Sequence, residues 1–396
     1  MTAHLPPLRL TGAQILCDAE MQHRSLGLMD GVLVHDPLPE VDLTGYYILP
    51  GIIDLHGDGF EHHMAPRPTA PFPFAAGLAS FDREAASHGL TTAFLAQGWS
   101  WEGGHRAPDH CVAVLTALQS YRPHAMTDLR LQIRAETHLV HETERLIDTV
   151  RRFGVTYVVF NDHLEEGLQL SRQSPAAFDH WAGKTGNRPQ DLTAAITRAQ
   201  AARGEVARSL CRLAQAFDQM GVTYGSHDDP DGETRERFRM LGAAVAEFPL
   251  SHKAAAAATA MQSPVIMGAP NVVRGKSQVG NVAALDLIAA GFCTALVSDY
   301  HVPALPLAVW TVVDRGLMSL AQAWALISTN AAEVLRLTDR GRLNAGLRAD
   351  LVVVCATTRR IEATICAGRL TYLAGEAARR FMAHPRALTT PSIAAE

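Results

Sequence analysis

The chain lacks several features that mark whole classes of protein. Its six cysteines are widely scattered and form no Cys-x-x-Cys pair, a pattern typical of reduced, buried thiols. No uninterrupted apolar segment approaches the ~20 residues that a membrane-spanning helix needs. No cationic segment is followed by an apolar one, as it would be in a secretory signal. We therefore expect a cytoplasmic protein.

An excess of charge of one sign is also missing. The 35 basic and 40 acidic side chains leave a net charge of only -5, which gives no electrostatic footprint for nucleic acid or for an acidic membrane. With 396 residues, of which 47% are hydrophobic and 19% charged, the chain can bury a large core. These properties favour a small-molecule partner.

The middle of the chain alternates short β-type runs with longer helical ones, the pattern of β/α units around a parallel sheet. The expected strands cover residues 47–55, 91–96, 129–136, 156–161, 222–225, 246–250, 264–267 and 294–298. Eight such strands predict an α/β fold of the (β/α)8 TIM-like barrel type. An open, doubly wound sheet is the alternative on pattern alone.

The two ends of the chain are rich in β-type runs and turn signals instead. We expect residues 1–47 and 340–380 to form one small composite domain, a β-sandwich, beside a barrel of residues 48–339 and a tail of residues 381–396. Residues 164–191 are expected to be a long loop after a strand. Within it, Lys184 in a Gly-flanked turn could contact a phosphate or simply be solvated.

Side chains able to bind metals recur just past the expected strands. His56 and Asp58 leave the first strand together, and others follow later strands at Glu136, Asp162, His163, His227, Asp228, Asp229 and Asp299. In a β/α barrel every strand delivers its last side chain to one mouth, so these groups are expected to meet there. Taken singly, each has a structural alternative: Glu136 could pair with Arg134 or His138, and Asp299 could cap a helix.

These residue types suit a pair of divalent cations. Two cations sharing a carboxylate would need His56 and Asp58 on the first, His163 and His227 on the second, and Glu136 as the bridge. A divalent cation lowers the pKa of a bound water from ~15.7 towards ~7. Asp299 would then be the general base that accepts the proton of the attacking water. Zinc is the expected metal, with manganese or iron as alternatives, and one or two ions are expected.

The sequence resembles the amidohydrolase superfamily. The segments that carry this resemblance are PGIIDLH at residues 50–56 and ADLV at residues 349–352. Most members have His-x-His at the first strand, whereas this chain has His56-Gly57-Asp58. That departure, together with further motifs, resembles the phosphonate-utilisation branch, the PhnM-type ribose methylphosphonate triphosphate diphosphatases. These motifs are MAPRP (64–68), GSHDD (225–229), AEFP (246–249), MGAPNVVRG (267–275), GNVAA (280–284) and SDY (298–300).

This resemblance implies a function in phosphonate metabolism. Enzymes of the branch hydrolyse α-D-ribose 1-methylphosphonate 5-triphosphate to the 5-phosphate and diphosphate. It carries over the metal and catalytic set His56, Asp58, Glu136, His163, His227 and Asp299, and it makes Arg67, Lys184 and Arg274 candidates for phosphate contacts. A phosphorylated small molecule is the expected partner, and a homodimer is the expected assembly.

Some positions depart from the pattern of the branch. Gly59 follows the first ligands, Lys276 and Gln278 stand where smaller or histidine-like residues are expected, and the last strand is followed by Tyr300-His301-Val302-Pro303. Changes at the mouth can alter specificity, so a diverged paralogue is one interpretation. Two other functions stay open: an amidohydrolase or deaminase that cleaves a C–N bond with the same metals, and a binding protein with a vestigial site.

Overall fold

The computed structural model describes residues 4–67, 70–277 and 280–383. Its strands, in chain order, are β1 (Leu8–Thr11), β2 (Gln14–Cys17), β3 (Glu20–His23), β4 (Leu26–Met29), β5 (Val32–Val34), β6 (Glu40–Asp42), β7 (Tyr46–Pro50), β8 (Ile52–Gly57), β9 (Leu90–Trp99), β10 (Asp128–Glu136), β11 (Tyr157–Asn161), β12 (Thr223–His227), β13 (Val245–Glu247), β14 (Val265–Gly268), β15 (Cys293–Val297), β16 (Leu351–Cys355), β17 (Ile361–Cys366) and β18 (Arg369–Leu373).

Strands β8 to β15 form one parallel sheet in the order in which they occur along the chain. The first and last strands meet just past their ends. The Asp299 N–H donates to the His56 carbonyl at 3.0 Å, and the Asp58 N–H donates to the Asp299 carbonyl at 2.9 Å. These bonds join the sheet's two edges, so the expected eight-stranded barrel is confirmed and the open sheet is wrong.

The barrel strands are apolar on both faces because each face is covered. Strand β9 is buried along its whole length, as expected for a parallel strand between a packed interior and surrounding helices. Ile53, Leu55, Phe94 and Tyr157 belong to the cluster that fills the interior. This packing fixes the strands and therefore the positions of the polar side chains that follow them.

The helices are α1 (Glu61–Met64), α2 (Phe74–Ser87), α3 (Pro108–Tyr121), α4 (Thr143–Phe153), α5 (Leu164–Gln173), α6 (Pro175–Lys184), α7 (Pro189–Ala201), α8 (Val206–Met220), α9 (Gly232–Met240), α10 (His252–Ala260), α11 (Ala269–Arg274), α12 (Ala284–Ala289), α13 (Ala304–Asp314), α14 (Leu320–Ala325), α15 (Thr329–Val334) and α16 (Gly375–Ala383). Within the described ranges, none of them has the length and apolar character needed to cross a bilayer.

The segment expected as a long loop is helical instead. Helices α5, α6 and α7 occupy it, and Pro175 and Pro189 stand in the first turns of α6 and α7. Proline is well tolerated there because the first N–H groups of a helix have no partner within it. Leu192 and Ile196 of α7 are buried four positions apart. The prolines therefore begin helices in a segment that was expected to be a loop.

The chain ends supply two further sheets, with strand orders β5-β4-β1-β6 and β18-β17-β16-β7-β2-β3. Leu10, Ile15, Ile48 and Leu351 belong to their shared apolar cluster, which fits a small β domain built from both ends. The strand expected over residues 47–55 is divided at Gly51. Its first half, β7, pairs with β16, and its second half, β8, begins the barrel.

Candidate active site

His56 is held at the tip of β8 by a buried carboxylate. Its Nδ1 lies 2.8 Å from Glu247 Oε2, and both side chains are almost fully buried. Glu247 also accepts hydrogen bonds from Gln132 at 2.7 Å and from the Tyr157 hydroxyl at 2.9 Å. Burial would raise the pKa of Glu247, but the neighbouring His56 lowers it. Glu247 is thus an ionised acceptor that orients His56 and leaves the His56 Nε2 atom free to act as a ligand.

His227, at the end of β12, lies against His56 with 5.3 Å between the ring centroids. Its Nε2 lies 3.9 Å from Glu247 Oε2. Asp228 Oδ2 is 3.0 Å from its Nδ1 but outside hydrogen-bonding geometry, so both buried ring nitrogens lack a hydrogen-bond partner. Burial lowers the pKa of His227, which favours the neutral ring. We call His56, His227 and Glu247 the histidine cluster.

Asp299 follows β15 and faces the same space. Burial, reinforced by the charge of Asp58, raises its pKa to about 7. Beneath it the two strands are tied together, because the Ser298 hydroxyl donates to Asp54 at 2.6 Å. Gly57 is required at this contact, since a Cβ there would lie 2.7 Å from the Ser298 hydroxyl. The glycine of His56-Gly57-Asp58 therefore permits the approach of the last strand.

Three non-glycine residues adopt left-handed conformations within two positions of the ends of barrel strands. Asp228, Phe248 and Asp299 have φ values of +59°, +51° and +54°. In each case the N–H donates to a carbonyl of the adjacent strand end, that of Glu247, Ile266 and His56 respectively. Such conformations are uncommon for residues with a Cβ and persist where surrounding contacts impose them. They turn the chain sharply at the mouth.

A second group, which we call the glutamate cluster, consists of Glu102, Glu136 and His163, whose ligand atoms lie within 4.8 Å of one another. His163 Nδ1 is 2.5 Å from Glu136 Oε1. Burial would lower the pKa of His163, but Glu136 outweighs it and raises the pKa to about 9. The Trp101 indole donates to Glu136 at 3.1 Å. His163 is thus the hydrogen-bonded partner of Glu136 in this structure.

Glu102 is enclosed by donors from two directions. Arg106 Nη1 lies 2.8 Å from its Oε2, and the Trp181 indole donates to the same oxygen at 2.7 Å. Trp181 belongs to α6, in the segment that the sequence analysis expected to be a loop. The helical insertion therefore forms part of the wall of the mouth.

The histidine cluster opens into a cavity of about 370 Å³. Asp58, Asp228 and Asp299 line it, and the opposing charges are those of Arg106, Arg134, Arg274 and Lys276. Arg134 Nη1 lies 3.8 Å from Asp58 Oδ2. A cavity of this size, in which charges of both signs converge beside apolar side chains such as Phe248, Leu250 and Met267, suits a small polar ligand.

The structure groups the expected site residues differently from the expected metal pair. His56 and His227 come together, as do Glu136 and His163, while Asp58 and Asp299 face the cavity. Glu136, expected as a bridge, lies in the glutamate cluster.

The three expected phosphate contacts also have different positions. Arg274 lines the cavity. Arg67 is exposed to solvent and is not among the described residues that line the cavity. Lys184 ends α6, but its side chain lies outside the described part of the structure, as does Gln278.

Sequence reasoning missed Glu102, Arg106 and Glu247 as members of the mouth. Glu247 is the last residue of β13. The strand was expected to continue to residue 250, so Glu247 was not recognised as a residue at a strand end. Glu102 lies three residues after β9, whose expected end was residue 96 instead of Trp99. Correct strand ends would have been sufficient to find both glutamates.

The residues of the mouth fit a divalent cation. A neutral His227 ring offers the lone pair of one buried nitrogen, and His56 has the carboxylate partner typical of a metal-binding histidine. Asp58 and Asp299 add carboxylate oxygens on the same cavity. Two imidazoles with one or two carboxylates form a familiar donor set for zinc.

Comparison with known proteins identifies the family. No model of a protein family matches the sequence. The chain is 30% identical over 363 residues to the α-D-ribose 1-methylphosphonate 5-triphosphate diphosphatase of Escherichia coli (strain K12), covering 87% of this chain and 90% of that protein.

Solved structures agree on the fold. An amidohydrolase matches with a TM-score of 0.63 at 14% identity, covering 94% of this chain and 100% of its own. The N-acetylglucosamine-6-phosphate deacetylase of Pasteurella multocida matches with a TM-score of 0.61 at 11% identity, covering 92% and 99%. The chain therefore shares its fold with these two structures, and it is a hydrolase that belongs to the family of α-D-ribose 1-methylphosphonate 5-triphosphate diphosphatases.

Proposed function

We propose that this protein is a metal-dependent diphosphatase that hydrolyses α-D-ribose 1-methylphosphonate 5-triphosphate to the 5-phosphate and diphosphate. The observation that carries the proposal is the cavity itself. His56, His227 and Asp299 line this cavity together with the cations Arg274 and Lys276. The relative from Escherichia coli, which is named for this reaction, supports the same substrate.

The charges of the cavity suit a triphosphate better than a neutral amide. Arg274 is exposed at the rim, where its Nη1 lies 3.5 Å from the Tyr300 hydroxyl. Arg134 is more buried, and its side chain is only 16% exposed. Cations at two depths can contact successive phosphoryl groups of one chain, and arginine is well suited to pair with phosphate oxygens.

In this reaction water is the nucleophile. The bond that breaks is the phosphoanhydride bond between the α- and β-phosphoryl groups. A bound divalent cation would supply Lewis-acid polarisation of the phosphoryl oxygen and lower the pKa of water. His56, His227 and Asp299 would hold it, with Asp58 as a further carboxylate. Asp299 faces the cavity, so its carboxylate can accept the proton that the attacking water loses.

Zinc is the metal that we propose, because two imidazoles with carboxylates are typical zinc ligands. Manganese and iron bind similar donor sets and differ mainly in preferred geometry. Elemental analysis of protein purified without added metal identifies the ion that is retained.

The decisive experiment measures diphosphate release from ribose 1-methylphosphonate 5-triphosphate by metal-reconstituted protein. A panel of amides, lactams and amino-substituted heterocycles is run in parallel. We expect diphosphate release that requires metal, is lost in Asp299→Asn, and is accompanied by no turnover of the panel.

The control is Asp148→Asn, which changes a carboxylate on the exposed face of α4 that pairs only with Arg151 among the contacts described. It should retain full activity. Metal-dependent turnover of an amide or a C–NH2 group without diphosphate release would refute the proposed substrate and favour an amidohydrolase or deaminase.

A further inference from the structure

Arg134 lies at the boundary between the two ligand clusters of the mouth. It lines the main cavity together with His56, His227 and Asp299, and it also lines a small space beside Glu102 and Glu136. Its Nη1 is 3.8 Å from Asp58 Oδ2. When the Asn161 amide oxygen faces it, that oxygen accepts from both Nε and Nη2 at 3.2 Å. The guanidinium is therefore held in place between the clusters.

The position of Arg134 on its strand explains why it points there. Side chains two apart on a strand face the same side, and Gln132, Arg134 and Glu136 follow one another along β10. Gln132 contacts Glu247 beneath the histidine cluster, and Glu136 belongs to the glutamate cluster. Arg134 lies between these two contacts.

A guanidinium in this position has two consequences for metal binding. It stays protonated at any pH at which proteins are folded, and it has no lone pair with which to bind a metal. Its charge also acts at short range in an interior that screens charges weakly, so it repels a second divalent cation placed between Asp58 and Glu136.

The two clusters also differ in the ligand atoms they offer. In the histidine cluster both nitrogens of His227 lack a hydrogen-bond partner. In the glutamate cluster, Glu102 accepts from Arg106 and Trp181, and Glu136 accepts from Trp101 and from the His163 backbone. Indole, guanidinium and backbone N–H groups cannot bind a cation.

We propose that the Arg134 guanidinium takes the place of a second metal ion, so that the mouth binds one divalent cation, at the histidine cluster. Asp58 and Glu136 then face the guanidinium of Arg134. In a site with two metal ions joined by a carboxylate, the second ion would occupy that position. This inference rests on the proposed metal-dependent function and specifies its metal content. Arg134 acts here as a positioning residue of fixed charge.

Counting bound metal tests this directly. The full chain is stripped with a chelator, saturated with Zn²⁺, desalted and analysed for zinc per chain, and the experiment is repeated with Mn²⁺. We expect one equivalent for the wild-type protein and for Arg134→Lys. We expect two for Arg134→Met, because the carboxylates of Asp58, Glu102 and Glu136 lose a compensating cation and can attract a second ion.

The matched control is Arg130→Met, which removes the same charge from the same strand. Arg130 pairs with Asp128 at the other end of β10, about 13 Å away at 3.3 Å per residue, and should leave the count at one. Thermal unfolding verifies that each variant folds. If Arg134→Met does not fold, Arg134→Gln replaces it, and the wild-type count tests the proposal in either case.

Two equivalents in the wild-type protein would refute this inference but leave the proposed reaction intact. Folded Arg134→Met or Arg134→Gln that stays at one equivalent would also refute it. A wild-type chain that binds neither metal would refute both this inference and the metal-dependent function.

Discussion

The two ends of the barrel differ in the contacts of the charged and polar side chains that stand there. At the floor of the barrel, the end where its strands begin, Asp128 pairs with three arginines. Its Oδ2 lies 2.9, 2.7 and 3.4 Å from guanidinium nitrogens of Arg130, Arg340 and Arg348. At the mouth, buried His227 has no hydrogen-bond partner and Asp299 carries a raised pKa. The barrel strands thus begin at an ion-pair network around Asp128 and end at a mouth where buried His227 lacks a hydrogen-bond partner.

This difference separates stability from function within one fold. The floor network joins the barrel to the chain ends, because Arg340 and Arg348 precede β16. Groups left unsatisfied at the mouth reduce stability, and they persist in proteins mainly where a ligand completes them. Substitutions at the two ends should therefore have opposite consequences.

The largest effect is expected at Asp299. Asp299→Asn keeps the shape of the side chain but cannot accept a proton, so kcat for diphosphate release should fall about 10²–10⁴-fold. The measurement is initial rate at saturating substrate and metal. A loss of less than tenfold would contradict the role of general base.

The same substitution should stabilise the metal-free protein. Because the pKa of Asp299 is about 7 in the folded state and ~3.9 in unfolded chains, the ionised carboxylate opposes folding at neutral pH. The gain in unfolding free energy should be absent below about pH 4, rise towards pH 7 and then level off. Chemical denaturation of chelator-treated protein across pH measures it. A destabilised Asp299→Asn would contradict the comparison of the two ends.

At the floor, Asp128→Asn should destabilise the protein by about 2 kcal/mol, because it leaves several arginine donors without an ionised acceptor. Burial would raise the pKa of Asp128, but the arginines outweigh it and hold the pKa well below its usual range. The stabilisation is therefore fully present above about pH 4 and is lost as the pH falls further. Denaturant titration measures the effect, and kcat should be unchanged.

A smaller effect is expected at Glu247, which orients His56 without facing the substrate. Glu247→Gln should weaken zinc binding about 10–100-fold, the usual cost of losing the partner of a metal-binding histidine. Competition with a chromophoric chelator measures the affinity. Glu84→Gln is the matched control, since Glu84 makes a comparable 2.6 Å pair with His63 away from the cavity. Equal losses in both variants would contradict the role of Glu247.

The smallest effect is expected at the rim. Arg274→Gln should raise KM for the triphosphate about 5- to 10-fold with little change in kcat, because an exposed cation contributes on the order of 1 kcal/mol to anion binding. Arg67→Gln should change KM less than about twofold, since Arg67 does not line the cavity in the described residues. Steady-state kinetics of both variants at one ionic strength would decide between them.

The sequence predicted the barrel because its strands are short, apolar and separated by helices, and periodicity of this kind survives tertiary packing. It also located His56, Asp58, Glu136, His163, His227 and Asp299 near strand ends. It could not give the exact ends of β9 and β13. The end of β13 depends on left-handed Phe248 and its hydrogen bond to Ile266, which are tertiary features.

The grouping of ligands was also beyond the sequence. His163 was expected beside His227, but in the structure it is hydrogen-bonded to Glu136. The Trp101 indole donates to the same carboxylate. Which side chains meet across a barrel mouth depends on the directions of loops and on partners far away in the chain. The helical insertion contributes in the same way, because nothing local in the sequence associates Trp181 with Glu102.

The seam of the barrel gives the enzyme an order of assembly. The first and last strands meet through Asp58 and Asp299, and just below them Asp54 accepts from Ser298, 244 positions later in the chain. Contacts so distant in sequence form late in folding because closing the intervening loop costs chain entropy. The carboxylate of Asp299 therefore reaches its place only when the ring of strands is complete. A growing or partly refolded chain would gain activity in one step at the end, without passing through a weakly active stage.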